Sequence, residues 1–166
     1  MVPLVSTTGD AVKAVKACKC PPEGIRGCGP RRMGILDPDY LSTANREILV
    51  IVQIETKEAI GNVEEILSVE GVDAFFLGSY DLSISMGLMG QIKDSRVHEA
   101  IDKVFKVGKK LGVASGIWCG GGLTIRERLV QEWQLVPVGM DLNFLLNGAL
   151  ATLKGAAVFK KVNDVI

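Results

Sequence analysis

Apolar residues in this chain fall into two kinds of segment that alternate along its length. Short runs that are almost wholly apolar predict buried β-strands, and longer segments with apolar residues every three or four positions predict amphipathic helices. The predicted strands are residues 2–5, 48–55, 72–78, 113–119 and 135–141. The first predicted helix has its apolar face over residues 11–18, and the others lie at about 57–68, 95–111, 124–132 and 143–158.

Local signals place some of the boundaries between these segments. Thr7 or Thr8 is suited to cap the first helix, and Gly112 is suited to end the third. Residues 20–40 are predicted to form a loop, because Pro21 and Pro22 cannot continue a helix. Residues 79–94 are also predicted to form a loop, which joins the third strand to the third helix.

Five strand–helix units in strict alternation predict an α/β protein with a parallel sheet and outer helices. An open doubly wound sheet and a (β/α)8 barrel both fit this order of elements. A complete barrel usually needs about 250 residues. The 166 residues therefore have room for five of the eight units, and the pattern alone does not choose between the two architectures.

Composition predicts one globular domain over residues 1–166, since 48% of the residues are hydrophobic and 23% are charged. Lysine plus arginine equals aspartate plus glutamate, and no basic block is present, so we expect neither a nucleic-acid nor a membrane partner. No apolar run reaches the roughly 18 residues of a membrane span, and the first residues lack the layout of a signal peptide. A cytoplasmic location is therefore expected.

The cysteines and the single histidine offer little chemistry. Reduced thiols are expected at all the cysteines, because two ligands one residue apart are too close for a usual zinc site and no histidine is near them. These cysteines are Cys18, Cys20, Cys28 and Cys119. His98 falls inside the third predicted helix, where a surface position is expected.

Two acidic residues follow neighbouring predicted strands. Glu55 ends the second strand, and Asp81 comes shortly after the third. Parallel neighbours lie about 4.8 Å apart, and their carboxyl ends form the edge where α/β proteins place their chemistry. The pair therefore suggests a metal site, although helix caps or solvated loop acids are the alternative.

Three other polar features have simpler interpretations. Asp141 closes the fifth predicted strand and is expected to cap the last helix or to lie at the mouth of the core. Gly120 to Gly122 lack the ending of a phosphate-binding loop and are expected to be flexible. An anion or a partner subunit could bind the arginines of the first loop, but a solvated surface is the simpler expectation. These arginines are Arg26, Arg31 and Arg32.

Three motifs resemble one known family. They are PPEGIRGCG at 21–29, VEGVDAFFLGSYDLSISMG at 69–87 and VPVGMDLNFLL at 136–146. Together they are similar to the HpcH/HpaI aldolase/citrate lyase family, the metal-dependent pyruvate aldolases. The resemblance implies a (β/α)8 barrel, of which this chain would supply the C-terminal five strand–helix units. It also implies a homo-oligomer, because the family exchanges its last helix between subunits.

The resemblance also assigns roles to residues of this chain. Glu55 and Asp81 match the family's two metal ligands, and Gln53 matches the glutamine that contacts the bound 2-oxo acid. Tyr80 stands where a small residue binds the substrate carboxylate through its backbone N–H, and Ser79 replaces a proline. Two carboxylates suit a hard cation, with Mg²⁺ preferred and Mn²⁺ or Co²⁺ possible. The bulk of Tyr80 is expected to narrow the pocket.

The implied activity is that of a carbon–carbon lyase. Such an aldolase cleaves or forms 4-hydroxy-2-oxo acids, with pyruvate as the enolate partner and an aldehyde as the second product. The family's general-base histidine, its paired aspartate and its arginine have no counterpart here, because the chain begins at the family's fourth strand. No catalytic residue is therefore assigned, and two alternatives stay open. One is a catalytically silent metal-binding or assembly module, and the other is an oxaloacetate decarboxylase.

Overall fold

The computed structural model describes residues 1–27, 29, 31–118 and 125–155, and the chain forms two compact units. The first unit is Met1–Val136, and the second is Pro137–Ile166. Among the described residues, no helix has both the length and the apolar character needed to cross a lipid bilayer.

A parallel sheet of three strands organises the first unit. Its strands are β1 (Ile51–Ile54), β2 (Ala74–Leu77) and β3 (Ala114–Ile117), in the order β1-β2-β3. Ile54 lies opposite Leu77, and Leu77 lies opposite Ile117, so the three carboxyl ends are level. This arrangement confirms the predicted α/β class with parallel strands.

The first and fifth predicted strands are each reduced to a single bridging residue. Val2 pairs in parallel with Val52 of β1, and Leu135 pairs in parallel with Gly116 of β3. The first segment cannot continue as a strand because Leu4 has a φ of 55°, which turns the backbone out of the extended region. In the fifth segment, Pro137 has no N–H with which to continue a ladder.

The helices that were predicted are present with small changes. α1 (Thr8–Cys18) is capped by Thr7, whose side chain forms a reciprocal capping box with Asp10. The predicted helix 57–68 is divided at Asn62 into α4 (Lys57–Gly61) and α5 (Val63–Leu67). α7 (Ser95–Leu111) ends at Gly112 with a φ of 72°, as the sequence predicted. α8 (Ile125–Val130) ends two residues before the predicted end at 132, and the predicted first residue, 124, lies outside the described part.

Both predicted loops contain helices, so these loop predictions were wrong at residues 31–36 and 79–85. α2 (Arg31–Leu36) and α3 (Tyr40–Glu47) lie within and after the first loop, and α6 (Ser79–Ser85) opens the second. Pro21 and Pro22 precede these helices and so do not block them. All three helices are shorter than nine residues, which is too short for a clear apolar period.

The core lies between the sheet and the helices α1, α5 and α7. All four residues of β2 are buried, as expected for a central parallel strand. α7 comes especially close to the sheet at Gly108, where an added Cβ would overlap the ring of Phe75. Trp133 closes this region, with its ring packed edge-on against Phe75 at a centroid distance of 6.2 Å.

The second unit contains one helix, α9 (Asp141–Gly155). It begins two residues before the predicted helix, and the predicted residues 156–158 lie outside the described part. Its large apolar side chains are exposed, in contrast to those of the buried strands of the first unit. They are Leu142, Phe144, Leu145, Leu146 and Leu153.

Candidate functional site

Glu55 is a buried carboxylate at the carboxyl end of β1. It follows the last residue of the strand directly, and only 3% of its surface is exposed. Ionised side chains are rarely so buried unless they are paired. None of the ion pairs in the described part of the chain includes Glu55. The groups that donate hydrogen bonds to its carboxylate are therefore neutral.

Each oxygen of this carboxylate accepts one hydrogen bond. The backbone N–H of Leu4 donates to Oε1 at 2.8 Å. The side-chain amide of Gln53 donates from Nε2 to Oε2 at 2.5 Å. Gln53 and Glu55 are two residues apart on an extended segment, so their side chains leave the same face of the sheet. Both bonds orient the carboxylate without neutralising it.

Gly78 provides the space that the carboxylate occupies. It follows β2 at the level of Glu55, because Ile54 and Leu77 are opposite each other in the preceding pair. A Cβ at position 78 would lie 2.6 Å from Oε2 of Glu55 and 3.2 Å from Nε2 of Gln53. Only glycine is therefore compatible with the observed position of the carboxylate.

Asp81 lies in the first turn of α6, just beyond the carboxyl end of β2, and is exposed. Burial raises the pKa of the Glu55 carboxyl, and the negative charge of Asp81 raises it further. The N–H of Leu4 and the amide of Gln53 act in the opposite direction. The two carboxylates are thus close enough to interact, as the spacing along the chain predicted.

The other predicted site residues lie around this pair. Gln53 contacts Glu55 directly, whereas Ser79 and Tyr80 are the first two residues of α6. Ser79 is buried, but Tyr80 is 59% exposed, with its ring against Gly90. The hydroxyl of Ser83 links Tyr80 to the segment around Gly90. It donates a hydrogen bond to the Tyr80 carbonyl at 2.6 Å and accepts one from the Gly90 N–H at 3.1 Å.

The donor set at this edge fits a hard divalent cation. No cluster of three or more histidine, cysteine, aspartate or glutamate side chains occurs within the described ranges. Mg²⁺ commonly uses only one or two protein carboxylates and takes its other ligands from water and substrate. A carboxylate oxygen that accepts one hydrogen bond also retains a lone pair for a metal. Glu55 and Asp81 are therefore suited to hold such a cation.

The remaining polar candidates lie elsewhere. His98 is exposed on α7, as the sequence predicted. Arg26 donates to the hydroxyl of Tyr40 at 2.9 Å, while Arg31 and Arg32 are exposed on α2. Asp141 opens α9, and its Oδ1 accepts the Leu142 N–H at 2.8 Å.

Two of the four cysteines can be described, and the glycine run cannot. Cys18 and Cys20 are free thiols and are half-buried. The predictions for Cys28, Cys119 and residues 120–122 fall outside the described residues.

Two contributors to the site were not found from the sequence. Leu4 supplies a backbone N–H, which no side-chain pattern reveals. Gly78 supplies space, and the available signal was its position directly after a strand that neighbours β1. Its contact with Glu55 follows from the register of β1 and β2, which the sequence did not define.

Comparison with known proteins identifies relatives over most of the chain. The sequence model of the HpcH/HpaI aldolase/citrate lyase family matches residues 1–147. The 4-hydroxy-2-oxo-heptane-1,7-dioate aldolase of Shigella flexneri is 39% identical over 156 residues, which cover 91% of this chain and 58% of that protein. The hydroxypyruvate/pyruvate aldolase of Delftia acidovorans is 39% identical over 162 residues, which cover 92% of this chain and 58% of that protein.

A solved structure agrees with these sequence relatives. The crystal structure of an HpcH/HpaI aldolase/citrate lyase family protein from Burkholderia cenocepacia superposes with a TM-score of 0.82 at 34% identity. The match covers 93% of this chain and 63% of that one, so the chain spans about three-fifths of the length of these relatives. The strand-end carboxylates thus occur in a chain that belongs to the HpcH/HpaI aldolase/citrate lyase family.

Proposed function

We propose that this chain is part of a divalent-metal-dependent aldolase that cleaves or forms 4-hydroxy-2-oxo acids, with pyruvate as the enolate partner and an aldehyde as the other product. The observation that carries this proposal is the buried Glu55 carboxylate beside Asp81, at the edge where parallel α/β folds place their chemistry. Membership of an aldolase family and two relatives named as aldolases support it.

In this proposal Glu55 and Asp81 hold the cation, with Mg²⁺ preferred and Mn²⁺ or Co²⁺ as alternatives. A bound cation would act as a Lewis acid toward the enolate of the 2-oxo acid. The buried charge of Glu55 near Asp81 supports this role, because a cation would relieve the repulsion between the carboxylates and offset the cost of burial.

The neighbouring residues bind and orient the 2-oxo acid. Gln53 has an amide whose second N–H is available to an oxygen of the substrate. Tyr80 lies in the first turn of α6, where backbone N–H groups have no partner within the helix, so its N–H is suited to a carboxylate. Ser79 is buried at the same turn and shapes the wall of the site.

The proton of the C4 hydroxyl must be removed when a 4-hydroxy-2-oxo acid is cleaved. His98, the single histidine, is exposed on α7 and has no part in this step. Since the chain spans 58% of the length of its aldolase relatives, we assign this proton transfer to a group outside these 166 residues.

We also propose that residues 1–166 form one domain that supplies five of the eight strand–helix units of a (β/α)8 barrel. Its support is the order of parallel segments, in which Val2, β1, β2, β3 and Leu135 are neighbours in sequence order. The exposed apolar side chains of α9 favour a homo-oligomer. The predicted cytoplasmic location and the predicted absence of nucleic-acid and membrane partners stay predictions.

Two further functions are suggested by the lack of an assigned base. The first is a catalytically silent module that binds a metal and a 2-oxo acid or serves in assembly. The second is decarboxylation of oxaloacetate, which needs no base at a hydroxyl. Metal-dependent release of CO₂ from oxaloacetate without aldol cleavage would favour the second, and binding without any turnover would favour the first.

Titration calorimetry with Mn²⁺ and pyruvate tests the proposed site. The unmodified chain should bind pyruvate only when the metal is present, and Glu55→Gln and Asp81→Asn should each abolish this binding. Glu65→Gln and Asp102→Asn are matched controls, because they neutralise exposed acids on α5 and α7. Metal-dependent pyruvate binding that survives both site substitutions would show that the carboxylates are not the ligands.

A turnover assay tests the activity itself. In a protein that joins this chain to the proton-transferring group, release of pyruvate from a 4-hydroxy-2-oxo acid should stop on addition of EDTA and resume with Mg²⁺. Turnover that is indifferent to both EDTA and Asp81→Asn would contradict the metal-dependent mechanism.

A further inference from the structure

Leu4 has a backbone conformation that leucine rarely adopts. Its φ of 55° lies in the left-handed region, where glycine, asparagine and aspartate are the usual residues. Such conformations persist only where the surrounding structure imposes them, and they concentrate at functional sites. The conformation of Leu4 therefore requires a cause in its surroundings.

Packing of the leucine side chain does not provide that cause, since 63% of the residue is exposed. The chain on either side is held firmly instead. Val2 donates to the carbonyl of Ile51 at 2.8 Å and accepts from the N–H of Gln53 at 2.8 Å. After Leu4, Val5 is buried, and its neighbour Ser6 shares a hydrogen bond of 2.8 Å with the hydroxyl of Thr56.

With this conformation the chain continues to the buried Val5 while the N–H of Leu4 points at the site. This N–H lies 2.8 Å from Oε1 of Glu55, which belongs to a segment 51 residues later in the chain. Oε2 is already held by Gln53, and Gly78 leaves room for it. Without the Leu4 bond, the carboxylate would be held from one side only. Hydrogen bonds from backbone N–H groups to a carboxylate are among the stronger ones in proteins.

We propose that Leu4 is a positioning residue, whose backbone N–H fixes the orientation of the Glu55 carboxylate for metal ligation. This inference rests on the proposed function, in which Glu55 is a ligand. It assigns the effect to the backbone and not to the leucine side chain. Substitutions at position 4 should therefore be ranked by their tolerance of a positive φ, and not by their similarity to leucine.

Two pairs of variants separate the backbone from the side chain. Leu4→Gly and Leu4→Asn remove the apolar side chain but tolerate the left-handed region. Leu4→Val and Leu4→Ile keep an apolar side chain but disfavour that region, because both are β-branched. Calorimetric affinity for Mn²⁺ should stay within about twofold in the first pair and fall about tenfold in the second. The absorption spectrum of the Co²⁺-loaded chain should change only in the second pair.

A measurement on the metal-free chain tests the hydrogen bond directly. The amide proton of Leu4 should resonate far downfield in the NMR spectrum and should exchange slowly with solvent. Glu55→Gln should move this resonance upfield, because a neutral acceptor replaces a charged one. Glu65→Gln, on the exposed face of α5, should leave it unchanged.

The outcomes distinguish this inference from the function on which it rests. A Leu4 amide that does not respond to Glu55→Gln would overturn the inference, whether or not the chain binds metal. Wild-type affinity for Mn²⁺ in Leu4→Val and Leu4→Ile would overturn it as well. The unmodified chain could also show the downfield Leu4 amide and yet bind no Mn²⁺. That result would support the contact between Leu4 and Glu55 but would overturn the proposed function.

Discussion

At the scale of single residues, the site combines the buried carboxylate of Glu55 with hydrogen-bond donors that carry no charge. Burial and the nearby Asp81 raise the pKa of Glu55, while Leu4 and Gln53 donate hydrogen bonds to its charged form. This balance depends on the carboxylate keeping its present position. Gly78 limits that position most directly, because its missing side chain leaves the space in which Oε2 lies.

Gly78→Ala should therefore weaken metal binding. Its new Cβ would lie 2.6 Å from Oε2 and 3.0 Å from Cβ of Glu55, so the whole side chain must move. The fold should lose about 1–3 kcal/mol from this overpacking. Calorimetry with Mn²⁺ and urea unfolding provide the two measurements. Gly61→Ala is the control, since nothing lies within 4 Å of a Cβ at that position. An unchanged affinity for Mn²⁺ in Gly78→Ala would refute the steric argument.

Asp94 gives the clearest pH dependence. Hydrogen bonds from the side chain and backbone of Arg96 lower the pKa of Asp94 from 3.8 to about 2. A carboxyl with a lowered pKa stabilises the fold fully above its unfolded value of 3.8, and this stabilisation is lost as the pH falls through about 2. Asp94→Asn keeps a good helix cap but removes the charge.

Asp94→Asn should be less stable than the unmodified chain at pH 7. The difference in the free energy of unfolding should shrink as the pH falls from 3.8 toward 2. Urea unfolding at pH 7, 4 and 2.5 would measure it, with Asp102→Asn on the exposed face of α7 as the control. A difference of constant size over this range would contradict the assignment to the Asp94 charge.

At the scale of elements, the sequence predicted what long periodic segments encode. α7 was predicted with its observed bounds, because 17 residues of regular apolar spacing end at a glycine. α2, α3 and α6 were missed, because each is too short to show a period. The lengths of the first and fifth strands were overestimated. In the first predicted strand, the backbone turns at Leu4, where the chain forms hydrogen bonds to β1 and to Glu55. These partners lie far along the chain, so the apolar residues 2–5 do not reveal them.

The same distinction applies to the candidate site. Glu55 and Asp81 were predicted because they follow neighbouring predicted strands, whereas Gln53 was predicted from the family resemblance. The proximity of the two carboxylates was predicted from the parallel order of the strands alone. Leu4 and Gly78 could not be found in this way, since their contributions arise from backbone conformation and from the register of β1 against β2.

The close approach of α7 to β2 gives a prediction for an element. Gly108→Ala would place a Cβ 2.3 Å from a ring carbon of Phe75, a residue of β2 with no exposed surface. Helix and strand must then separate, and we expect a loss of about 1–3 kcal/mol in the free energy of unfolding. Thermal and urea unfolding would measure it. Gly34→Ala in α2 is the control, because its Cβ meets nothing within 4 Å and alanine favours helix.

At the scale of the whole molecule, five parallel segments follow one another across the sheet. The outermost two contribute only Val2 and Leu135 to the pairing, so both margins offer little backbone hydrogen bonding within the described part of the chain. Open margins of this kind favour association with other chains. The exposed apolar residues of α9 point in the same direction.

We therefore expect the purified chain to form an oligomer. Light scattering should give a mass that is a multiple of 17.8 kDa. Leu145→Lys, at a position of α9 that is 73% exposed, should lower this mass. Asn147→Lys adds the same charge at another exposed position of α9 and should not. A monodisperse monomer of the unmodified chain would refute this prediction.

The hydrogen bond between Leu4 and Glu55 also has a consequence for sequence variation. Position 4 should accept residues of very different size and polarity, provided that they tolerate a positive φ, while position 78 should accept glycine alone. Two positions without any reactive group would then restrict variation at the site. Saturation mutagenesis scored by metal affinity would show these two profiles side by side, one selecting a backbone geometry and the other selecting an empty volume.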